Sequence, residues 1–388
     1  MLAKLYFLIR SYYYAVLYSF VRKEVDVVFY YPHHFNRFEG KNYFFRNLVK
    51  ACQEKGLRYL LLEEPDYNSK MKRSNEAISF DFVFILLMLL RKFFFKKLSF
   101  SDKDLEIVRY IKIFFFRRLK AKNVITISQS KINFLKAFFP KSKLFDLQHG
   151  IIHSKNQNYI SNNNASNNIT DNNVNLLLFG RKYYDILLKS DNSGYYKSNA
   201  HVIGWGASDN LKTNHSFFNK KIVVTLQITA DHSKEENKLI LKELYDVISK
   251  NKDFFIQHNI NFYIKHHPRY NNEVSVRKLL GFDFVFLTDK NITECAKICS
   301  LHITNYSTCT MDFASFGIPT IFLNSLKSKT DVFLKEFNCH VDKESVFLEI
   351  ESMFLSNISY QERSKYFFNW GKGFLDDFNK NNFIKLLS

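Results

Sequence analysis

A chain of 388 residues is too long for one ordinary core, so two domains of the α/β type are expected. Apolar residues make up 46% of it, normal for a folded protein, and a high aromatic share of 17% is carried by 42 Phe and 22 Tyr. The net charge of +19 calls for a polyanionic partner; no RRM, KH or helix-turn-helix pattern is present, so nucleic acid drops out in favour of an anionic membrane surface or phosphate-bearing substrates.

The opening stretch, MLAKLYFLIRSYYYAVLYSFVRKEVD, is apolar, but Lys4, Arg10 and three consecutive tyrosines interrupt it. With no small-residue cleavage site after it, secretion is not expected, and no run has the length a membrane-spanning helix needs. Val25 to Tyr31 reads as a buried strand. The loop after it carries His33, His34, Asn36, Arg37 and Glu39. Helical spacing over Lys41 to Lys55, the stop at Gly56 and a second strand over Tyr59 to Leu62 complete a βαβ unit and predict a parallel sheet. Ligands of such sheets bind beyond the carboxyl ends of the strands, which makes His33, His34 and Arg37 candidates for acceptor or cleft contacts.

Phe80 to Leu90 is apolar but short, and RKFFFKK (91 to 97) and IKIFFFRR (111 to 118) follow. Phe beside Lys and Arg suits a surface lying on an anionic bilayer; buried helices with basic flanks are the other reading. Val124 to Ile127 is the next strand, Lys131 to Phe139 a helix closed by Pro140, and Lys143 to Leu147 a strand leading into Gln148-His149-Gly150. Gly150 leaves room for a ligand at the backbone, and His149 is a candidate general base, with a structural hydrogen-bonded imidazole as the alternative. Asn156 to Asn173 is a low-complexity polar segment, read as a mobile loop and linker, and the domain boundary is placed at its end: 1–173 and 174–388.

Strands over Val174 to Phe179, His201 to Ile203, Lys221 to Gln227 and Ile260 to Lys265 alternate with helices over Tyr183 to Leu188 and Glu235 to Lys250, as in a second doubly wound domain. Lys265 is followed by His266-His267-Pro268-Arg269, two imidazoles and a guanidinium that suit a diphosphate. A metal held by His266 and His267 is disfavoured, because adjacent residues rarely aim at one ion and no carboxylate is near in sequence. After a strand over Phe284 to Leu287 and a helix over Asn291 to Cys299, the segment LHITNYSTCTMDFASFGIPTIFLN (301 to 324) reads as strand, turn, helix and strand. Its helix runs over Met311 to Phe316 and is stopped by Gly317 and Pro319. Asn305, Tyr306, Ser307, Thr308 and Thr310 stand at the mouth of that helix, where an anion is favoured; capping alone also explains the hydroxyls. The five cysteines form no CxxC pair and no zinc spacing and read as reduced thiols, with Cys295 and Cys299 one turn apart on a packing face. No metal and no cofactor are expected.

His-Pro at the end of one strand and Ser-Thr before the next helix resemble the nucleotide-binding half of GT-B glycosyltransferases of bacterial surface polysaccharides. Sialyltransferases and Kdo transferases, which use CMP-activated donors, share those two motifs. TNYSTCTMDFASFGIPTIFL is also similar to a segment of CDP-glycerol glycerophosphotransferases, and Gln148-His149-Gly150 to their Trp-His-Gly loop. The resemblance implies His267 and Pro268 in the His-Pro role, Ser307 and Thr308 on the nucleotide phosphate, His149 as base and Asp312 near a ribose. The acidic base element of sialyltransferases has no clear match; Glu39 before Gly40 is the nearest substitute.

The expectation is therefore an α/β chain of GT-B type, two Rossmann-like doubly wound domains facing a central cleft, the first for the acceptor and the second for the nucleotide-sugar donor. It would transfer a sugar to a glycan or lipid-linked acceptor of the bacterial envelope at the cytoplasmic face of the membrane. A CDP-polyol phosphotransferase is the alternative from the same chemistry, and a non-catalytic polyanion binder the alternative from another class.

Overall fold

The computed structural model describes residues 2–38, 40–67, 69, 71–93, 100–205, 217–229, 232–267, 270, 273–341 and 345–388. The chain forms two compact units: Met1–Gly206 together with Asp376–Ser388, and Ala207–Leu375.

The first unit is built on seven parallel strands: β1 Lys23–Pro32, β2 Tyr59–Glu64, β3 Ile78–Ser79, β4 Leu119–Ile127, β5 Lys143–Leu147, β6 Val174–Leu178 and β7 Ala200–Val202. They lie in the order β7-β6-β5-β4-β1-β2-β3. Val27, Val28 and Phe29 of β1 have no exposed surface. A strand covered on both faces needs such a continuous apolar run rather than an alternating one. The helix after β1 spans Arg46–Glu54 and begins later than its apolar spacing suggests. Lys41–Asn42 is drawn into an antiparallel pair with Asn36–Phe38, and the Asn42 carboxamide oxygen accepts from the Phe44 and Phe45 amides, which turns the chain first.

The boundary expected between residues 173 and 174 is corrected by strand pairing. β6 continues the first sheet beside β5, with Val174 opposite Leu144 and Leu177 opposite Leu147, so the division falls after Gly206. The Asn-rich segment before it is not a linker. It folds into a hairpin of Ile160–Ser161 with Asn164–Ala165 and a short helix, Asn167–Thr170. Asn162, Asn163 and Asn173 adopt left-handed backbone (φ 51, 58 and 50°), a conformation Asn tolerates better than most residues. Low-complexity composition here encodes turns.

The second unit has five parallel strands, β8 Lys221–Leu226, β9 Asn261–His266, β10 Val285–Leu287, β11 Leu301–Thr304 and β12 Thr320–Phe322, in the order β10-β9-β8-β11-β12. One face buries Ile222, Val224 and Ile303 against Ile240, Leu244 and Ile248 of the helix Lys234–Lys250. The other buries Val223 with Cys295, Cys299 and Phe313. Cys295 and Cys299 are thus free, buried packing residues.

Candidate functional site

Each sheet runs outward from its first strand in one direction and, after a crossover, in the other, so the order reverses between β1 and β4 and between β8 and β11. Beyond the carboxyl ends at such a reversal two loops diverge and leave a crevice.

At the first edge, His33 directly follows β1 and is turned inward. Its Nδ1 accepts from the Asp66 amide at 2.8 Å, and burial, helped by Arg73, lowers its pKa to about 4. His34 lies at the surface with Nδ1 2.8 Å from the Asp66 carboxylate. Arg37 sits on the short strand Asn36–Phe38; Glu39 lies outside the described residues.

The step after β5 is fixed by Gln148. Its side chain is buried, its Nε2 donates to the Gly150 carbonyl at 2.8 Å, and its Oε1 accepts from the Phe179 amide at 2.9 Å. Gly150 takes φ +77°, which a side chain would strain. His149 between them is held edge-on against Phe35 and Phe44, with ring centroids 4.8 and 5.0 Å away. Phe44 meets Trp205, which packs on Phe179 at 4.3 Å. The Trp205 amide donates to Asp376 O, and the Asp376 amide to Phe179 O, so the returning segment closes this aromatic wall. Within β5, Asp146 has no exposed surface. Its Oδ1 accepts from the Gln129 amide at 2.7 Å, its Oδ2 has no partner, and burial pushes its carboxyl up to about 8.

At the second edge, a buried polar ladder ties the strands together. Thr225 of β8 meets Nε2 of His302 at 2.8 Å and the Thr304 hydroxyl at 3.1 Å, and Nδ1 of His302 meets the Thr320 hydroxyl of β12 at 3.0 Å. Burial lowers His302 to about 3, so the ladder is neutral. Beyond it, Gln227 Oε1 accepts from the Tyr306 amide at 3.0 Å, and the Tyr306 phenol is hydrogen-bonded to Nε2 of His232, whose Nδ1 is buried without a partner. Asn305 is buried, donates Nδ2 to Ser325 Oγ, and keeps an unpartnered Oδ1.

Ser307 is buried and accepts from the Cys309 amide at 3.2 Å, while Thr308 occupies the N-cap position without a capping side-chain bond. Thr310 is fully buried with an unpartnered hydroxyl. The helix spans Cys309–Ser315, starting two residues earlier than read from the sequence, and Gly317 follows it at φ +72°. Seven residues give a weak dipole, so the anion-attracting groups here are hydroxyls and amides more than a helix end. Asp312 lies on this helix, and burial pushes its carboxyl up to about 7.

Lys265 donates Nζ to the Lys290 carbonyl at 2.5 Å. His266 stacks on Tyr270 at 3.9 Å, and burial lowers its pKa. His267 follows β9, half-buried; Pro268 and Arg269 lie outside the described residues. Because β8 lies between β9 and β11, the His-Pro and Ser-Thr elements start about 10 Å apart along one sheet edge. Gln227 and His232 were missed by sequence reasoning. The Ser233-x-x-Glu236 capping box fixing the start of the next helix was legible and would have drawn attention to His232 before it. Among the described residues no group of three His, Cys, Asp or Glu converges as a metal cluster.

No protein-family model and no curated protein sequence matches the chain. Among solved structures, it is similar to a variant of the wall teichoic acid polymerase TagF, with a TM-score of 0.57 and 13% identity over 100% of this chain and 96% of that one. It is also similar to S. aureus MnaA in a structure with UDP, with a TM-score of 0.54 and 13% identity over 92% and 94% of the two chains. A third likeness is to UDP-GlcNAc 2-epimerase from Neisseria meningitidis bound to UDP-GlcNAc, with a TM-score of 0.53 and 11% identity over 94% and 98%. These likenesses define the class of fold, the two-domain Rossmann-like α/β architecture of GT-B type.

Proposed function

We propose that the chain transfers a sugar from a nucleotide-activated donor to a hydroxyl of an envelope glycan or lipid-linked acceptor at the cytoplasmic face of the membrane. The observation that carries this reading is His149, fixed at the carboxyl edge of the first sheet by the Gln148 clamp and the Phe35 and Phe44 rings. An imidazole held in one orientation at a crevice is suited to accept a proton. In the reaction, the acceptor hydroxyl gives its proton to His149 and its oxygen bonds to the anomeric carbon. The bond from that carbon to the donor phosphate breaks, and the nucleotide leaves with the electron pair. His267, Arg269, Ser307, Thr308 and Thr310 are the groups assigned to the charge on that phosphate, Lys265, His266, Asn305 and Tyr306 frame them, and Asp312 is assigned to the ribose.

His149→Ala should lower kcat about a hundredfold to ten-thousandfold while nucleotide affinity and melting temperature stay close to wild type. A variant that loses activity only in proportion to its folded fraction would make His149 structural. If Glu39→Gln abolishes turnover while His149→Ala stays active, the base is the carboxylate.

Polyol-phosphate transfer is a second reading, favoured by TagF structures that span 100% of this chain, one of them soaked with CDPG. There the acceptor oxygen would attack phosphorus and CMP would leave, with His149 in the same role. Thermal shift with CMP-, UDP-, GDP- and CDP-activated donors separates the readings, since the bound donor raises the stability of the native state.

A further inference from the structure

Three helices of the first unit lie side by side: Leu2–Phe20 packs on Asp81–Phe93, which packs on Phe100–Phe114. Tyr12 and Phe82 meet at 5.1 Å, and Phe82 and Phe115 at 4.8 Å. Their inner faces, with Ala15, Val83, Leu87, Ile107 and Ile111, are buried as amphipathic helices require. The outer faces should then be polar throughout, yet beside exposed polar residues such as Asp102 and Arg109 they carry large apolar ones. Leu5, Ile9, Met88, Leu89, Ile113 and Phe114 are exposed there, Ile9 by 59% and Phe114 by 67%. Exposed apolar residues therefore recur on all three neighbouring helices, more densely than scattered singles would.

The exposed charges of the first two helices are basic, and those of the third are mixed. Leu2–Phe20 contains no acidic residue, and the Asp81 carboxylate of the second helix is turned inward onto Arg73 at 2.7 and 3.1 Å. Lys4 and Lys92 are exposed and lie over the rings of Tyr67 and Phe93. The third helix pairs Glu106 with Arg109 and carries Asp102 in its first turn. No helix among the described residues is long and apolar enough to cross a membrane.

We infer that this three-helix face docks onto the surface of an anionic lipid bilayer. A bilayer offers hydrocarbon for the apolar side chains and anionic headgroups for Lys4 and Lys92 in one occupant, whereas a protein partner would have to supply a matched apolar patch and carboxylates separately. Tyr6, Tyr13 and Tyr110, all exposed on the same helices, suit the boundary layer, where a ring can be buried while its hydroxyl stays wet. The inference is independent of the transfer reaction. Of the basic Phe-rich surface expected around Phe93 to Lys97 and Phe114 to Arg118, 94–99 lie outside the described residues, Phe116 is fully buried and Phe115 packs on Phe82, so the inference rests on Phe114 and on the N-terminal helix instead.

The test is co-sedimentation with vesicles of phosphatidylcholine alone and of phosphatidylcholine mixed with phosphatidylglycerol, across a salt series. Binding should require phosphatidylglycerol and weaken as salt shortens the screening length. Lys4→Gln with Lys92→Gln should weaken it roughly thirtyfold. Leu5→Ser, Ile9→Ser, Met88→Ser and Phe114→Ser together should weaken it on the order of a thousandfold, with melting temperature unchanged. Leu355→Ser with Ile358→Ser, equally exposed in the second unit, should leave it intact. Absence of binding to the anionic vesicles, equal loss in this control, or a dimer in solution that only the fourfold variant dissolves would overturn the inference. Should the fourfold variant not fold, unchanged binding of the lysine variant would overturn it alone.

Discussion

Asp146 is a buried carboxyl with one hydrogen bond, and the sign of its effect on stability is set by that isolation. Its folded pKa of about 8 lies above the value of about 3.9 in an unfolded chain, so the native state holds a proton that the unfolded state releases. Its contribution is complete below about pH 4 and is lost as pH rises through about 8. Asp146→Asn keeps an acceptor for the Gln129 amide and should flatten that fall, which urea unfolding at several pH values would show. His33 acts in the other direction. Its depressed pKa means stability present above about 6.5 and lost as pH falls towards about 4. The His232 and Tyr306 pair allows a different prediction. If it positions the donor, Tyr306→Phe should raise KM for the donor about tenfold with kcat nearly unchanged. A purely structural pair would instead show as a lower melting temperature with unchanged KM.

At the scale of elements, strands were the most legible part of the sequence. Lys143–Leu147 and Leu301–Thr304 each end where a buried parallel strand gives way to polar residues, and both bury polar groups, Asp146, His302 and Thr304, among their apolar ones. Helix starts were less legible, since they depend on hydrogen bonds such as those from the Phe44 and Phe45 amides to Asn42. The Asn-rich segment shows why composition misleads: asparagines that suggest disorder are here the residues that tolerate the turns of a hairpin. Of the candidate site, His149 and the buried hydroxyls after β11 were visible as residue types at strand ends, but their surroundings were not. Phe35 and Phe44 lie more than a hundred residues before His149 and Trp205, and the four rings meet only in the fold. Gly204 is the tight point of that wall. It has φ +78°, and a Cβ there would collide with the Asp377 carbonyl. Gly204→Ala should destabilise the first unit by about 3 kcal/mol, measured by chemical unfolding, and detach the returning segment locally.

For the whole molecule, alternation of strand and helix predicted two doubly wound sheets, and both sheets show the same reversal after the first strand. What alternation cannot say is which sheet a strand joins. β6 and β7 resemble the start of a second domain in sequence, and only pairing with β5 assigns them to the first. The same holds for the segment 376–388, which follows the second unit in sequence and belongs to the first. Its helix Lys380–Leu387 receives a hydrogen bond from Asn123 at the Leu387 carbonyl, and Asn382 donates to Val202. On the ribosome, therefore, the first unit has no closed form while its own strands are being made. Residues 207–375 must emerge and can fold before the segment that completes the first unit exists, so an early-synthesised half waits on a late one and is exposed to chaperones and proteases in the interval.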